Sequence, residues 1–397
     1  MLLIGSLFND IILYKGAFML TLPKIILFPI IYLLLLYLML KKQIHLSRLS
    51  ISLFLTISGL IFFSIIFNKV FSNYSLSIIQ SLLSGLAYMV VLSSIIICSN
   101  KKDTENHLNF GLKVIYVCTL FNALVGIFQS ITGLGFISER KFLLAGTPFY
   151  RAQGLLLDPN YFGQLMLFGF FIVVFLYKKE SKKIYFFSMP IVLLSIFLNG
   201  SRSTLLALIL TFLIIILLDK SLKTLLSSML SISTMYLILK VFLPNQLNYF
   251  LTIFNTSLYD RSAVRNSLQD RQLLLDQAID VGIEYWYKGI GVGNFVLYNS
   301  KGMFSHNTLA EMFVEYGILG VIIFVIIFFL IPLKQYNGFK RSLNIHIRSY
   351  YLVSVAFISY SVMSFNLVSY YSKFSFLIFS IMIVLGNISL KEFKNEN

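Results

Sequence analysis

The sequence predicts an all-α polytopic integral membrane protein with about 12 transmembrane helices and one larger extracytoplasmic loop carrying an amphipathic helix. Apolar residues make up 58% of the 397 and charged residues only 12%, whereas a soluble globular chain carries about 25% charged. The apolar residues also fall in runs of about 20 separated by short polar breaks, the length that crosses a bilayer as a helix. One membrane domain over 1–397 is therefore expected, rather than the two or three soluble domains that the length alone would suggest.

The runs are Leu2 to Leu20, Lys24 to Leu40, Leu49 to Asn68, Leu76 to Cys98, Gly111 to Thr132 and Leu155 to Tyr177. They continue at Ile184 to Asn199, Thr204 to Leu218, Thr224 to Leu243, Asn307 to Leu333, Tyr350 to Ser369 and Phe374 to Leu390. The first is interrupted by Asp10 and Lys15. Lysine and arginine outnumber acids 32 to 16, a formal charge of +16, yet they sit mostly in short loops, as the positive-inside rule requires, and not in a nucleic-acid-binding patch. Lys41, Lys101, the run Lys178 to Lys183, Lys220, the stretch Lys334 to Arg348 and Lys391 fall consistently on one side, expected to be cytoplasmic. Both termini join them if Leu2 to Leu20 spans. Cys98 and Cys118 lie inside apolar runs, which suits packing and neither a disulfide nor a zinc site. The N-terminus lacks the basic start and small-residue cleavage site of a removable signal peptide.

The segment 244–305 departs from this pattern. It carries a balanced charge set, while Leu268, Leu274, Leu275, Ala278, Ile279, Ile283 and Trp286 recur at near-helical spacing. An amphipathic helix lying on the outer membrane surface is expected here, followed by the glycine-rich turn Gly289 to Gly293.

No GxxxxGK[ST], HExxH, CxxC or DxD motif occurs, and Asp103-Thr-Glu105 sits among lysines in an expected cytoplasmic loop. ATP hydrolysis and metal chemistry are poorly supported, and no metal or cofactor is expected. Four polar clusters remain, all on the outer side. In Gly200 to Thr204, Ser201 or Ser203 can cap a helix whose free N–H groups favour an anion, with Arg202 adding a forked positive charge; a plain interfacial turn with a snorkelling arginine accounts for the pentad equally well. Arg151 to Gly154 with Asp158, Pro159 and Asn160 forms the entry to the next run, where capping is the simpler role. Arg261, Arg265 and Arg271 lie in the outer loop, Arg271 on the helix leading to the Gly291 turn. Lastly, His306 and Asn307 stand where the loop re-enters the membrane, and His306 is the only outer-face imidazole able to accept a proton near neutrality. Glu315 is nine residues on, about 13 Å deeper, where a carboxylate is costly unless partnered or functional.

The stretches RAQGLLLDPNYFG (151–163), NGSRSTLLALIL (199–210), DRQLLLDQAIDVGIEYWYKGIGVGNF (270–295) and SHNTLAEMFVEYGILG (305–320) resemble, in order and spacing, the O-antigen ligase and O-antigen polymerase family of bacterial envelope enzymes. The resemblance covers residues 151–330; Tyr287-Lys288 stands where the family often has a proline near the glycine. It implies a metal-independent and nucleotide-independent glycosyltransferase in the bacterial cytoplasmic (inner) membrane, its site facing the periplasm or cell exterior. The donor would be a polyprenyl-diphosphate-linked oligosaccharide and the acceptor a glycan hydroxyl, with a flippase and a chain-length regulator as further partners. On that resemblance Arg202 and Arg271 would bind the diphosphate and His306 would orient or deprotonate the acceptor. Arg151, Asn160 and Asn307 would be supporting contacts, and Ser201, Arg265, Gly291 and Glu315 complete the expected substrate-binding set. A polymerase of lipid-linked repeat units, building O-antigen or capsule, is the leading expectation. A ligase transferring finished glycan to lipid A core or protein is the alternative. A lipid or anion transporter is a remote one, because the polar clusters lie at one face and not near the midplane of two inverted repeats.

Overall fold

The structure is a computed structural model that describes residues 12–15, 19–21, 48–67, 73–97, 101–134, 141–144, 147–156, 158–219 and 261–396, with isolated positions between them. Apart from two short hairpins, its elements are helical. The first hairpin pairs β1 (Ile12–Lys15) with β2 (Met19–Thr21). Then come α1 (Arg48–Phe67), α2 (Asn73–Ile96) and α3 (Lys101–Thr132), and a second hairpin of β3 (Lys141–Leu144) and β4 (Thr147–Tyr150). The chain continues through α4 (Pro159–Glu180), α5 (Lys183–Leu198), α6 (Arg202–Asp219) and α7 (Arg261–Glu284). It ends with α8 (Phe295–Tyr298), α9 (Thr308–Tyr316), α10 (Ile318–Val325), α11 (Ile331–Arg341), α12 (Ile345–Arg348), α13 (Tyr351–Met363) and α14 (Lys373–Glu396).

Five helical stretches among the described residues are long and apolar enough to cross a membrane: Leu49–Ile66, Ser75–Ile96, Lys102–Thr132, Pro159–Glu180 and Ile318–Arg341. Their apolar surface does not all point inward. On α3, Phe110 and, seven residues on, Val117, Phe121, Leu124, Phe128 and Ile131 at three- and four-residue steps are exposed, a stripe that lipid tails accommodate without penalty. The centre belongs to α4, packed against α3, α5, α6 and α13 and buried along most of its length. Small residues allow that approach: a Cβ on Gly163 would lie 2.0 Å from Thr204 Oγ1, and one on Gly169 would lie 2.3 Å from the Thr119 methyl.

The capping chemistry of α4 orients the bundle. Asp158 caps its start by accepting from Asn160 N at 2.7 Å, with Pro159 in the first turn. Lys178 and Lys179 occupy its last turn, where cations suit the helix dipole. Lys179 Nζ there donates to Asn109 Oδ1 at 2.8 Å and Tyr350 OH at 2.9 Å, and Lys113 pairs with Glu180 at 2.6 Å. One end of the bundle thus gathers lysines, and the opposite end of α4, about 33 Å away by helical rise, gathers the candidate site.

Several expected spans differ. The run Leu2 to Leu20, interrupted by Asp10 and Lys15, overlaps the β1–β2 hairpin, which reaches Thr21. Lys24 to Leu40 and Thr224 to Leu243 fall almost wholly outside the described residues. The span expected from Gly111 starts as a helix at Lys101, because Thr104 and Leu108 of the polar stretch are buried on one helical face. The span from Asn307 to Leu333 breaks at Gly317 (φ 64°), where a Cβ would meet the Trp286 carbonyl oxygen at 2.3 Å. A π turn at Ile326–Leu330 then widens the helix ahead of Pro332, whose ring and missing N–H an α turn would not fit. The run to Ser369 ends its helix at Met363 and continues through a 3-10 turn, Ser364–Asn366.

The segment expected to form the large loop is helical over Arg261–Glu284, and part of its apolar surface is covered by protein. Leu274 and Ala278 of α7 form a small core with Ile290, Phe295, Ala310 and Val314. Residues 245–260 lie outside the described residues.

Candidate functional site

The site is built on a frame of backbone-directed polar side chains. Asn199, fully buried, donates through Nδ2 to the carbonyls of Ala152 (2.9 Å) and Pro159 (2.5 Å), and its Oδ1 accepts from Ser201 N (3.1 Å). Arg151 Nε donates to the Asn199 carbonyl at 2.8 Å. From the other side, Gln129 Oε1 accepts from Gly154 N at 2.8 Å and Gln153 N at 3.1 Å, and Asn122 Oδ1 accepts from Leu155 N at 3.1 Å. The two motifs at 151–163 and 199–210 are thereby locked together.

That lock brings two helix starts side by side. Ser201 stands at the N-terminus of α6, accepting from Thr204 N at 3.4 Å, and donates through Oγ to Asn160 Oδ1 in the first turn of α4 at 2.9 Å. Ser203 Oγ lies 2.9 Å from the same hydroxyl. Asn160 and Ser201 are buried and bonded to each other, so they set the frame, while Arg202, the first residue of α6, is partly exposed. Helix N-termini carry partial positive charge and unpaired N–H groups.

A third helix start contributes His306. Asn307 caps α9 by accepting from Ala310 N at 3.1 Å. The preceding Ser305 donates its N–H to the buried Glu311 Oε2 at 2.7 Å and its hydroxyl to the Asn307 carbonyl at 2.9 Å. Between them His306 adopts φ 56°, a left-handed conformation that His tolerates better than most residues. Thr308 Oγ1 donates to the Leu367 carbonyl at 2.5 Å, fastening the turn to the segment after α13. Burial pushes the His306 pKa below its ordinary 6.5, the Arg271 charge pushes it further down, and the Asp158 carboxylate opposes both. His306, Arg271 and Asp158 therefore lie within electrostatic reach of one another, which joins the α4 start to the α7 and α9 motifs.

The glycine-rich turn and Glu315 hold one another. Gly293 N donates to Glu315 Oε1 at 2.6 Å, Tyr370 OH donates to the same carboxylate, and Gly291 N donates to the Glu315 carbonyl at 3.0 Å. Val292 N reaches Ser64 Oγ at 2.9 Å, and Ser75 Oγ donates to the Val292 carbonyl. Glu315 and Gly291 thus form a latch under the site. Gly289 has φ 66°, and a Cβ there would lie 2.2 Å from the Glu315 carbonyl oxygen, a backbone atom. Gly289→Ala is expected to cost at least about 1–3 kcal/mol of backbone strain; thermal denaturation in detergent checks this, and an unchanged midpoint would contradict the latch.

Of the sequence-expected residues, Arg151, Asn160, Ser201 and Arg202 are brought together, as are His306, Asn307 and Arg271. The Arg265 side chain lies outside the described residues. Asn122, Gln129, Glu311 and Tyr370 were missed. Asn122 and Gln129, seven residues apart on one face of an apolar run, and Glu311, four before Glu315, are polar residues in apolar surroundings, and that was the available signal. Among the described residues no three His, Cys, Asp or Glu side chains group as a metal would need.

No curated protein matches the chain. Residues 187–325 match the model of a family described as O-antigen ligase, a range that includes Arg202, Arg271, the glycine-rich turn and His306. That is the family the motifs resemble; the similarity spans about a third of the chain, whose described residues also include the five helical stretches long and apolar enough to cross a membrane.

Proposed function

We propose that the protein is a glycosyltransferase that moves a glycan from a polyprenyl diphosphate carrier onto the hydroxyl of another glycan, at the extracytoplasmic face of the bacterial cytoplasmic membrane. The observation that carries this reading is the α4 start, where Asn160 bonds Ser201 beside Arg202 and Asp158 lies within electrostatic reach of Arg271 and of His306, whose pKa burial and Arg271 lower. Such a place favours a polyanion. In the transfer, the bond between the sugar C1 and the diphosphate oxygen breaks and its electron pair stays on the diphosphate. The acceptor oxygen bonds to C1, and its proton passes to the His306 imidazole. Preorganised arginines act where the leaving group's charge develops, and neither a metal nor a nucleotide is needed.

The leading acceptor is a newly delivered lipid-linked repeat unit, which makes the protein a polymerase. The description of the matched family favours the second reading, a ligase acting on lipid A core or on a protein. Deleting the gene and resolving the surface glycan on a gel separates them. A single repeat on the normal acceptor indicates the polymerase, long chains stranded on the carrier indicate the ligase, and an unchanged pattern contradicts both.

Asp158→Asn tests the role of His306. Asparagine caps a helix as well as aspartate does, so the start of α4 survives while the charge that favours the imidazolium is removed. The His306 pKa should fall further below 6.5, and the acid limb of the pH–rate profile should move to lower pH. A limb that stays in place, or moves up, would contradict His306 as the titrating base.

A further inference from the structure

Helix α7 covers only part of its apolar surface. Leu274 and Ala278 face α9, and a Cβ on Gly282 would lie 2.4 Å from the Phe313 ring, so that face is pressed against protein. On the other side Ile279 and Ile283, four residues apart on α7, and Trp286, two residues past its end, form a second strip. Ile283 is 61% and Trp286 57% exposed. In water such a strip is unfavourable, and the acidic residues of the helix, Asp276, Asp280 and Glu284, stand off its axis on the far edge.

The position of Trp286 identifies what covers it. Its carbonyl accepts from Ile318 N at 2.7 Å, and Ile318 is the first residue of the candidate span Ile318–Arg341. Trp286 is therefore bonded to the first residue of that candidate span. Ile318, Leu319 and Ile322 are themselves exposed apolar residues, so the uncovered surface continues from the end of α7 onto the span. Lys288 Nζ lies 5.5 Å from the Tyr287 ring centroid and 5.6 Å from that of Tyr285. Tryptophan, tyrosine and a snorkelling lysine are the residues that settle at a membrane interface.

We propose that the strip Ile279, Ile283 and Trp286 is a membrane-docking surface that seats the end of α7 in the headgroup and upper acyl region of the adjoining leaflet. Ile279 and Ile283 on α7, with Trp286 two residues past its end, require the end of α7 to lie along the interface rather than stand away from it. The burial depth expected for such a helix is about 5–10 Å. The proposal rests on the chain being a membrane protein and is independent of its reaction.

Trp286 is the only tryptophan in the chain, so the wild-type protein reports on itself. The full chain is reconstituted in phosphatidylcholine vesicles containing lipids brominated either near the headgroup or near the acyl terminus. Strong quenching by the shallow label, weaker quenching by the deep one and little quenching by aqueous iodide are expected. Ile283→Asp should shift the emission to longer wavelength and increase iodide quenching. Iodide quenching without bromine quenching in the wild type would overturn the proposal, as would shielding from both, which would mean that protein covers the strip. A chain that fails to float with the vesicles would instead overturn the membrane assignment itself.

Discussion

Arg271→Ala is expected to reduce glycan transfer by about 10²–10³-fold, the usual cost of removing one preorganised stabiliser of developing negative charge. Two effects combine in this variant. The cation that would neutralise the departing diphosphate is lost, and so is a charge that lowers the His306 pKa. The second effect is recoverable: at higher pH, His306 is neutral again and part of the rate returns. The first is not recoverable by pH. Arg271→Lys should restore the His306 contribution and only part of the rest, because a lysine is a point charge without the forked geometry that matches phosphate oxygens. Arg202→Ala at the start of α6 should show the unrecoverable loss alone. Rates against pH for the three variants, at matched expression, check this; wild-type activity in both alanine variants would remove the diphosphate from the account.

His306→Asn separates chemistry from backbone geometry. At φ 56° a β-branched residue would be strained, whereas asparagine enters the left-handed region readily. The turn between Ser305 and Asn307 should therefore keep its hydrogen bonds to Glu311 and Ala310. What is lost is the nitrogen that accepts a proton, and general-base catalysis contributes about 10²–10⁴-fold. A loss of that size with unchanged thermal stability is expected. His306→Val should lose stability as well. An active His306→Asn enzyme would show that this side chain only fills the turn.

The residues of the candidate site stand out in the sequence because they depart from their surroundings. In a chain of apolar runs, the pentad Gly200 to Thr204 and the charged stretch at 261–288 stand out by composition, and His306 by being the only histidine outside the loops expected to be cytoplasmic. Composition could not show which polar groups are spent on holding the frame. Asn160 and Ser201 are bonded to each other, and Glu315 is taken by Gly293 and Tyr370, pairings between positions 22 to 55 residues apart that no local pattern records. Asn122 and Gln129 were hidden for the opposite reason, being read as part of an apolar run. The spans followed the same logic. Length and hydropathy located α1, α2 and α4, but the break at Gly317 depends on the Trp286 carbonyl arriving from a distant segment. The helix over Arg261–Glu284 matches the helical spacing read in the sequence, while the cover over one of its apolar faces was not foreseen, since periodicity marks a buried face without naming what buries it.

The most direct measurement is transfer by the purified protein in vesicles, with a polyprenyl-diphosphate-linked oligosaccharide as both donor and acceptor, no nucleotide, and a chelator present. The account predicts a lengthened lipid-linked glycan and free polyprenyl diphosphate, in equal amounts, both lost in Arg271→Ala and His306→Asn. Substrate that crosses the bilayer unchanged, or a product that forms only when a divalent metal is restored, would contradict it.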